Sequence, residues 1–471
     1  MAWVLLPNEN EGQDKRVESG IVPCLDAGSN PASSTQKNIF WDLRGILTRV
    51  LSPEGTINAR VHFSTPVSST RGVLAQLVER NVRNVEVRGS TPLCSTMVNV
   101  REIHTKKELK RFIEFANDLY ADCPYYCPPL FFDEMNCFDP ERNPALEVCE
   151  YQLWLAYREN EIVGRIAGII NRKANEKWDV KKVRFGWFDF IDDPEVSKAL
   201  LDTVAAWGKE RGMDELNGPV GFTDFDHEGL LIEGYEYPAV MASLYNYPYY
   251  VKHLDAYGLT KEADWIEIRV TPPAEIPERL ARMTELIKER SNVHIDKVKN
   301  AKELVRKYGI EYMDVIDTAY QKLYNFQPMT DKQKNYYKDM YFPLLNFDFV
   351  TLVVNEKNEI VGVGLGMPDI SDALRKCGGK LLPFGWYHLL KALKAKKMDS
   401  FSFLLIAVRP DYQDKGINAL FIVDQIPYIN QYGIKRLETT SILETNTKNI
   451  ANFTQFEHII HKRHRAYIKA I

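Results

Sequence analysis

Val408-Arg409-Pro410-Asp411-Tyr412-Gln413-Asp414-Lys415-Gly416-Ile417-Asn418 is the stretch on which the reading of this chain turns. It follows Phe401 to Val408, an apolar run of strand type, and precedes Ala419 to Gln431, whose spacing predicts a helix. A strand that ends in a glycine-bearing loop and opens a helix presents unpaired backbone N–H groups and the positive end of the helix dipole. Together these make an anion site, with pyrophosphate as the natural guest. Gly416 permits close backbone approach, Lys415 adds a positive charge, and the Gln413 side chain has a hydrogen to donate. Beyond the helix, Arg436 to Ser441 reads as another strand, which a right-handed crossover makes parallel to the first.

Upstream of that unit, Asn300-x-x-Glu303 predicts a capped helix running towards Phe326, and Phe349 to Val354 turns through Asn355-Glu356-Lys357-Asn358 into Ile360 to Met367. The same order occurs earlier in the chain. Thr105-x-x-Glu108 is a capping box, followed at helical spacing by Leu109, Phe112, Ile113, Ala116, Leu119 and Tyr120; Tyr151 to Tyr157 and Ile162 to Ile170 then form a hairpin. Asn160-Glu161-Ile162-Val163-Gly164 recurs unchanged as Asn358-Glu359-Ile360-Val361-Gly362, the mark of a tandem repeat. Each copy reads as helix, hairpin, strand, helix, strand, helix and closing strand, with a boundary near Thr271-Pro272-Pro273. The expected architecture is a mixed α/β sheet covered by helices.

The loop, its strand and its helix resemble the GNAT superfamily of acyl-CoA-dependent N-acyltransferases, whose loop pattern is Gln/Arg-x-x-Gly-x-Gly/Ala. Gln413 and Gly416 match it, and Asn418 stands at the last position. The resemblance implies an α+β, tandem GNAT-like acyl-CoA N-acyltransferase fold, with a degenerate domain over residues 97–272 and an acyl-CoA-binding domain over 273–471. In the first domain, Asp192-Asp193-Pro194-Glu195 replaces the phosphate cradle with carboxylates that repel an anion, which implies a half that shapes the acceptor groove. Its long insertion, Gly218 to Tyr250, resembles a bacterial tandem-GNAT family. The implied reaction moves an acyl group from acetyl-CoA or another acyl-CoA to the primary amine of a small molecule or peptide. Val408, Gln413, Asp414, Lys415, Gly416, Ile417 and Asn418 are then expected at the donor, with Asn446 and Asn449 from the next helix. Glu438 is the first candidate for the base and Glu444 the second, Tyr467 is placed to protonate the leaving thiolate, and no metal is expected. The same fold also accommodates a noncatalytic acyl-CoA sensor or an aminoacyl-tRNA-dependent transferase.

Composition excludes other classes. Among 471 residues, 60 Lys and Arg against 64 Asp and Glu give a net charge of −4, so there is no basic field for nucleic acid. No apolar run is long enough to span a membrane, and Met1 to Pro7 turns polar too early for a secretion signal. Seven cysteines fit a reducing compartment, and a cytoplasmic protein is expected. The segment 1–96 lacks periodicity. Its Gly28-Ser29-Asn30-Pro31, Gly89-Ser90-Thr91-Pro92 and Leu74-Ala75-Gln76-Leu77-Val78-Glu79-Arg80 resemble translated arms of tRNA genes, so it is expected to be a non-native extension, with translation starting at Met97.

Five further features are expected to be structural. Cys123, Cys127, Cys137 and Cys149 lack zinc-knuckle spacing and are expected as core or half-buried thiols. Strand alternation would scatter His458, His461 and His464, which are expected on a solvated basic terminus with Lys462, Arg463 and Arg465. Gly362, Gly364 and Gly366 leave room for a ligand or a packed helix, and the tyrosines from Tyr235 to Tyr250 form core or groove wall. Leu381 to Lys397 is a basic amphipathic insertion, expected as a packed helix in preference to a lid or membrane contact.

Overall fold

Thr105 accepts from the Glu108 N–H while the Glu108 carboxylate accepts from the Thr105 N–H at 2.9 Å, closing the expected capping box. The helix it starts buries Phe112, Ile113, Phe115 and Ala116 along one stripe. The computed structural model describes residues 97–341 and 345–471; the expected extension 1–96 lies outside them.

The first half runs β1 (Asn99–Glu102), helices Lys106–Leu119 and Phe131–Cys137, β2 (Cys149–Arg158), β3 (Glu161–Asn171), helix Arg172–Trp178, β4 (Lys182–Phe190), helix Pro194–Glu210, β5 (Glu215–Gly218), β6 (Leu230–Glu233), helix Tyr249–Tyr257 and β7 (Thr260–Val270). The second runs helix Glu278–Ser291, β8 (Val293–Asp296), helices Ala301–Tyr308, Glu311–Tyr320 and Asp331–Tyr341, β9 (Val350–Asn355) and β10 (Ile360–Pro368). It continues through helices Ser371–Cys377 and Gly385–Leu393, β11 (Ser400–Val408), helix Asn418–Tyr432, β12 (Arg436–Thr439), β13 (Ile442–Leu443), helix Thr447–Thr454 and β14 (His458–Ala470). The expected long helix towards Phe326 is corrected: Asn300 does cap it, but it ends at Tyr308, where Gly309 takes φ +55° and a second helix begins at Glu311.

All strands join one sheet in the order β1-β2-β3-β4-β5-β14-β7-β12-β11-β10-β9-β8, with β6 on β14 and β13 on β7. The predicted crossover is parallel, β11 with β12, and so is its counterpart in the first half, β4 with β5. Each half is therefore an α/β unit of the expected element order with one exchange. β14 lies against β5 of the first half, and β7 lies against β12 of the second, so each closing strand completes the sheet of the other half. The two closing strands zip antiparallel from His458 opposite Val270 to Ile468 opposite Thr260.

Close packing explains the glycine strand. A Cβ on Gly362 or Gly364 would stand 2.8 or 2.9 Å from the Phe421 ring, so the helix Asn418–Tyr432 seats directly on β10 and is fixed relative to β11. The cysteines are as expected: Cys127, Cys137 and Cys149 are buried thiols and Cys123 is half-buried.

Candidate active site

β11 and β12 pair only from Ser400 opposite Arg436 to Phe403 opposite Thr439, and then separate. A bulge at Leu404 marks the parting, where the Thr440 hydroxyl donates to the Leu404 carbonyl at 3.0 Å. β11 continues to Val408 and the loop. Asp414 and Gly416 take φ +65° and +80°, and the helix from Asn418 has no side-chain cap; the Ala419 and Leu420 N–H groups donate at 3.0 Å to the Gly416 and Ile417 carbonyls, tightening its first turn. Gln413, Asp414, Lys415 and Gly416 are exposed, while Ile417 is buried. The first half supplies a contrast at the same place: Asp193 accepts from the Glu195 N–H at 2.9 Å and caps its own helix, with Pro194 in the first turn. There a carboxylate already occupies the anion position.

Several expected donor residues are engaged internally. Gln413 Nε2 donates to the Val408 carbonyl at 3.0 Å, bracing the loop, and Asp414 pairs with Lys448. Asn446 caps the helix Thr447–Thr454 by accepting from the Asn449 N–H at 3.2 Å. Lys415 sits over the Tyr412 ring at 4.3 Å. The residues still fit a pyrophosphate: an uncapped helix start, a positive-φ glycine and one exposed ammonium.

The three expected catalytic side chains do not converge. Glu444 is held by Lys261 and, at 2.8 Å, by Arg463. Tyr467 lies against β5, opposite Gly218, whereas Glu438 lies opposite Arg269, whose partner on β14 is Ile459. Eight residues of strand separate Ile459 from Tyr467, about 26 Å. The Tyr467 side chain is buried, and burial pushes its hydroxyl up to about 12 against the opposing effect of Arg465.

What converges instead is a buried cluster where β7, β12 and β14 meet. The Arg269 guanidinium holds Glu438 at 2.7 Å, and Lys462 holds Glu267 at 3.0 Å. His461 Nε2 stands 3.5 Å from Glu438 and 3.8 Å from Glu267, and His464 Nε2 is 3.1 Å from Glu267. Glu267, His461, Lys462 and His464 are all at most 4% exposed. This overturns the expected solvated terminus. β14 is a central strand, and its bulge at His461, between the pairs Ile460–Ile268 and Lys462–Glu267, turns His461, Lys462 and His464 towards one carboxylate. Sequence alternation alone cannot show a bulge.

Burial would raise Glu438, but His461, Lys462 and Arg269 outweigh it and hold the carboxyl down at about 2; Glu267 is likewise held well below the usual range, with burial opposed by Lys462 and both imidazoles. The Arg269 guanidinium and the Lys462 ammonium match the charge of the two carboxylates. Ligand atoms of Glu267, Glu438 and His461 lie within 4.8 Å of one another, near enough for a metal ion, yet Arg269 and Lys462 already neutralise those carboxylates. The arrangement suits proton transfer: imidazoles next to paired carboxylates, buried away from water.

A cavity of about 120 Å³ adjoins this cluster from the first half. It opens where β4 and β5 part, after Arg184 opposite Asn217, and Trp187 at its wall takes φ +43°, a strained conformation for a large side chain. Trp187 donates to Glu134 at 2.7 Å, and Arg165 is clamped by Asp189 at 2.7 Å. Ser243 lines the cavity and stands 3.4 Å from Lys462 Nζ; at Gly229, also lining it, a Cβ would stand 3.0 Å from the His464 Cβ. Tyr245 forms part of its wall, as expected of the tyrosine run.

No family profile matches the chain. It is 28% identical over 382 residues to Protein YghO of Escherichia coli strain K12, covering 79% of this chain and 95% of that protein. It is 26% identical over 384 residues to the bacterial ceramide synthase of Caulobacter vibrioides, covering 79% of this chain and 98% of that one. Among solved structures, a tandem GNAT protein from the clavulanic acid biosynthesis pathway aligns with a TM-score of 0.47 at 9% identity, over 79% of this chain and 98% of its own.

Proposed function

We propose that the protein is an N-acyltransferase that moves the acyl group of an acyl-CoA to the primary amine of a long-chain, lipid-like amino alcohol. The observation that carries this reading is the buried imidazole–carboxylate cluster beside the cavity. On the donor side, Glu438 lies opposite Ser402, and Val408 is six residues further along β11, roughly 20 Å away. That is a separation a phosphopantetheine arm spans from the loop to the cluster. On the acceptor side, the cavity carries apolar walls, including Phe188, Leu230 and Met241, and reaches the cluster at Ser243. Similarity to a ceramide synthase along nearly its full length supports an amine bearing a long chain, since a ceramide is an N-acylated amino alcohol.

The thioester supplies an activated acyl carbon. In this reading His461 takes the proton of the acceptor ammonium, in place of Glu438, whose carboxyl at about 2 is too weak a base. Glu267 and Glu438 orient the imidazole and stabilise it once charged, and Lys462 keeps the cluster neutral beforehand. The resting amine enters through the first half, where the carboxylates of Glu134, Asp189 and Asp226 line its path.

The test is release of free CoA thiol from acetyl-CoA and from palmitoyl-CoA, with sphinganine as acceptor and hexylamine as control. We expect release to need sphinganine, and His461→Gln to lower kcat by about 100-fold or more while retained acyl-CoA binding shows that the variant folds. Binding of acyl-CoA with no thiol release to either amine would assign the fold to a noncatalytic role.

A further inference from the structure

The insertion between β10 and β11 has no counterpart in the first half. From Ala373 to Met398 it carries Arg375, Lys376, Lys380, Lys391, Lys394, Lys396 and Lys397 and not one Asp or Glu, in a chain whose net charge is negative. Its expected packing is only partly observed. Gly385 and Leu389 are buried, but Leu382, Phe384 and Tyr387 are 73%, 71% and 53% exposed. Three large apolar side chains within six residues thus face solvent. Lys380 lies 3.6 Å from Glu114, whereas Lys391, Lys394, Lys396 and Lys397 make no ion pair among the described residues.

The platform is rigidly braced from below. Arg375 donates to the carbonyls of Tyr126, at 3.2 Å, and of Ala239; the Phe131 N–H donates to Gly379 at 2.9 Å, and the Met241 N–H to the Ser371 hydroxyl at 2.7 Å. Tyr126 and Met241 also line the cavity described above. An exposed apolar tip, a lysine fringe and a cavity wall are therefore parts of one braced unit.

We propose that Leu382 to Lys397 is a docking surface for an anionic lipid bilayer. Leu382, Phe384 and Tyr387 enter the boundary between headgroups and acyl chains, and Lys391, Lys394, Lys396 and Lys397 face the anionic headgroups. Charge chooses this occupant. A second copy would bring the same lysines against these and be repelled, and a nucleic acid would leave the apolar tip in water. The inference is independent of the acyltransferase reading, because docking is measured without turnover.

The experiment is co-sedimentation of the full chain with vesicles of phosphatidylcholine alone and of phosphatidylcholine mixed with phosphatidylglycerol, at low and high salt. The mixed vesicles should bind at least about tenfold more protein at low salt, with the difference shrinking as salt rises. Replacing Lys391, Lys394, Lys396 and Lys397 together by Gln should remove the preference, and the triple variant Leu382→Ser, Phe384→Ser, Tyr387→Ser should remove binding. These side chains are exposed, and an unchanged thermal melt verifies that each variant folds. Equal binding to both vesicle types, no binding to either, or variants that bind like the parent would overturn the proposal. So would a dimer in sedimentation velocity that the triple serine variant abolishes.

Discussion

Glu438 shows how a single side chain acquires meaning from its neighbours. Its folded value of about 2, against 4.5 when free, means the carboxylate stabilises the fold above roughly pH 4.5 and stops doing so as pH falls towards 2. The difference is worth roughly 3 kcal/mol. Glu438→Gln should therefore lower stability by about that amount at neutral pH, and the gap from the parent should narrow between about pH 5 and pH 3. Urea midpoints at several pH values check this; a gap independent of pH would show that the pairing of the carboxylate with His461, Lys462 and Arg269 is not its source. Glu438 was legible in the sequence because it sits on the strand after the loop helix. His461 and His464 were not, because their convergence depends on a backbone bulge and on a strand partner almost two hundred residues away, neither of which periodicity encodes.

Elements were the most legible scale. The strand, glycine loop and helix from Phe401 to Gln431 formed as expected because each segment's apolar spacing and its loop chemistry agree with one another. The helix predicted towards Phe326 broke because Gly309 supplies a left-handed turn that a hydrophobic pattern passes over. The two loop helices differ in one functional respect, the Asp193 cap on the first and the bare start of the second. Lys415→Glu places a carboxylate at that bare start without touching the core. It should weaken CoA binding by roughly tenfold, read by calorimetric titration, with an unchanged thermal midpoint in the absence of ligand. Unaltered affinity would remove the loop from the donor site.

At the scale of the molecule, the repeat was legible from a shared pentapeptide and a shared order of elements, but the exchange of closing strands was not, since either pairing satisfies the same hydrophobic alternation. The β7–β14 zipper commits the halves to each other, so heating should give one cooperative calorimetric transition. Two separable peaks would show the halves to be thermodynamically independent. The exchange also sets a clock for biosynthesis. Asn217 of β5 donates to the Tyr467 carbonyl across 250 positions of chain. At about 5–20 residues per second, the ribosome leaves the β5 edge unpaired for roughly 12 to 50 s before β14 is made. For that interval the nascent first half carries an open strand edge, the surface on which neighbouring nascent chains on a polysome would pair wrongly. Slow codons late in the message would lengthen the exposure, and chaperone demand should track the synthesis of β14 rather than that of the half it completes.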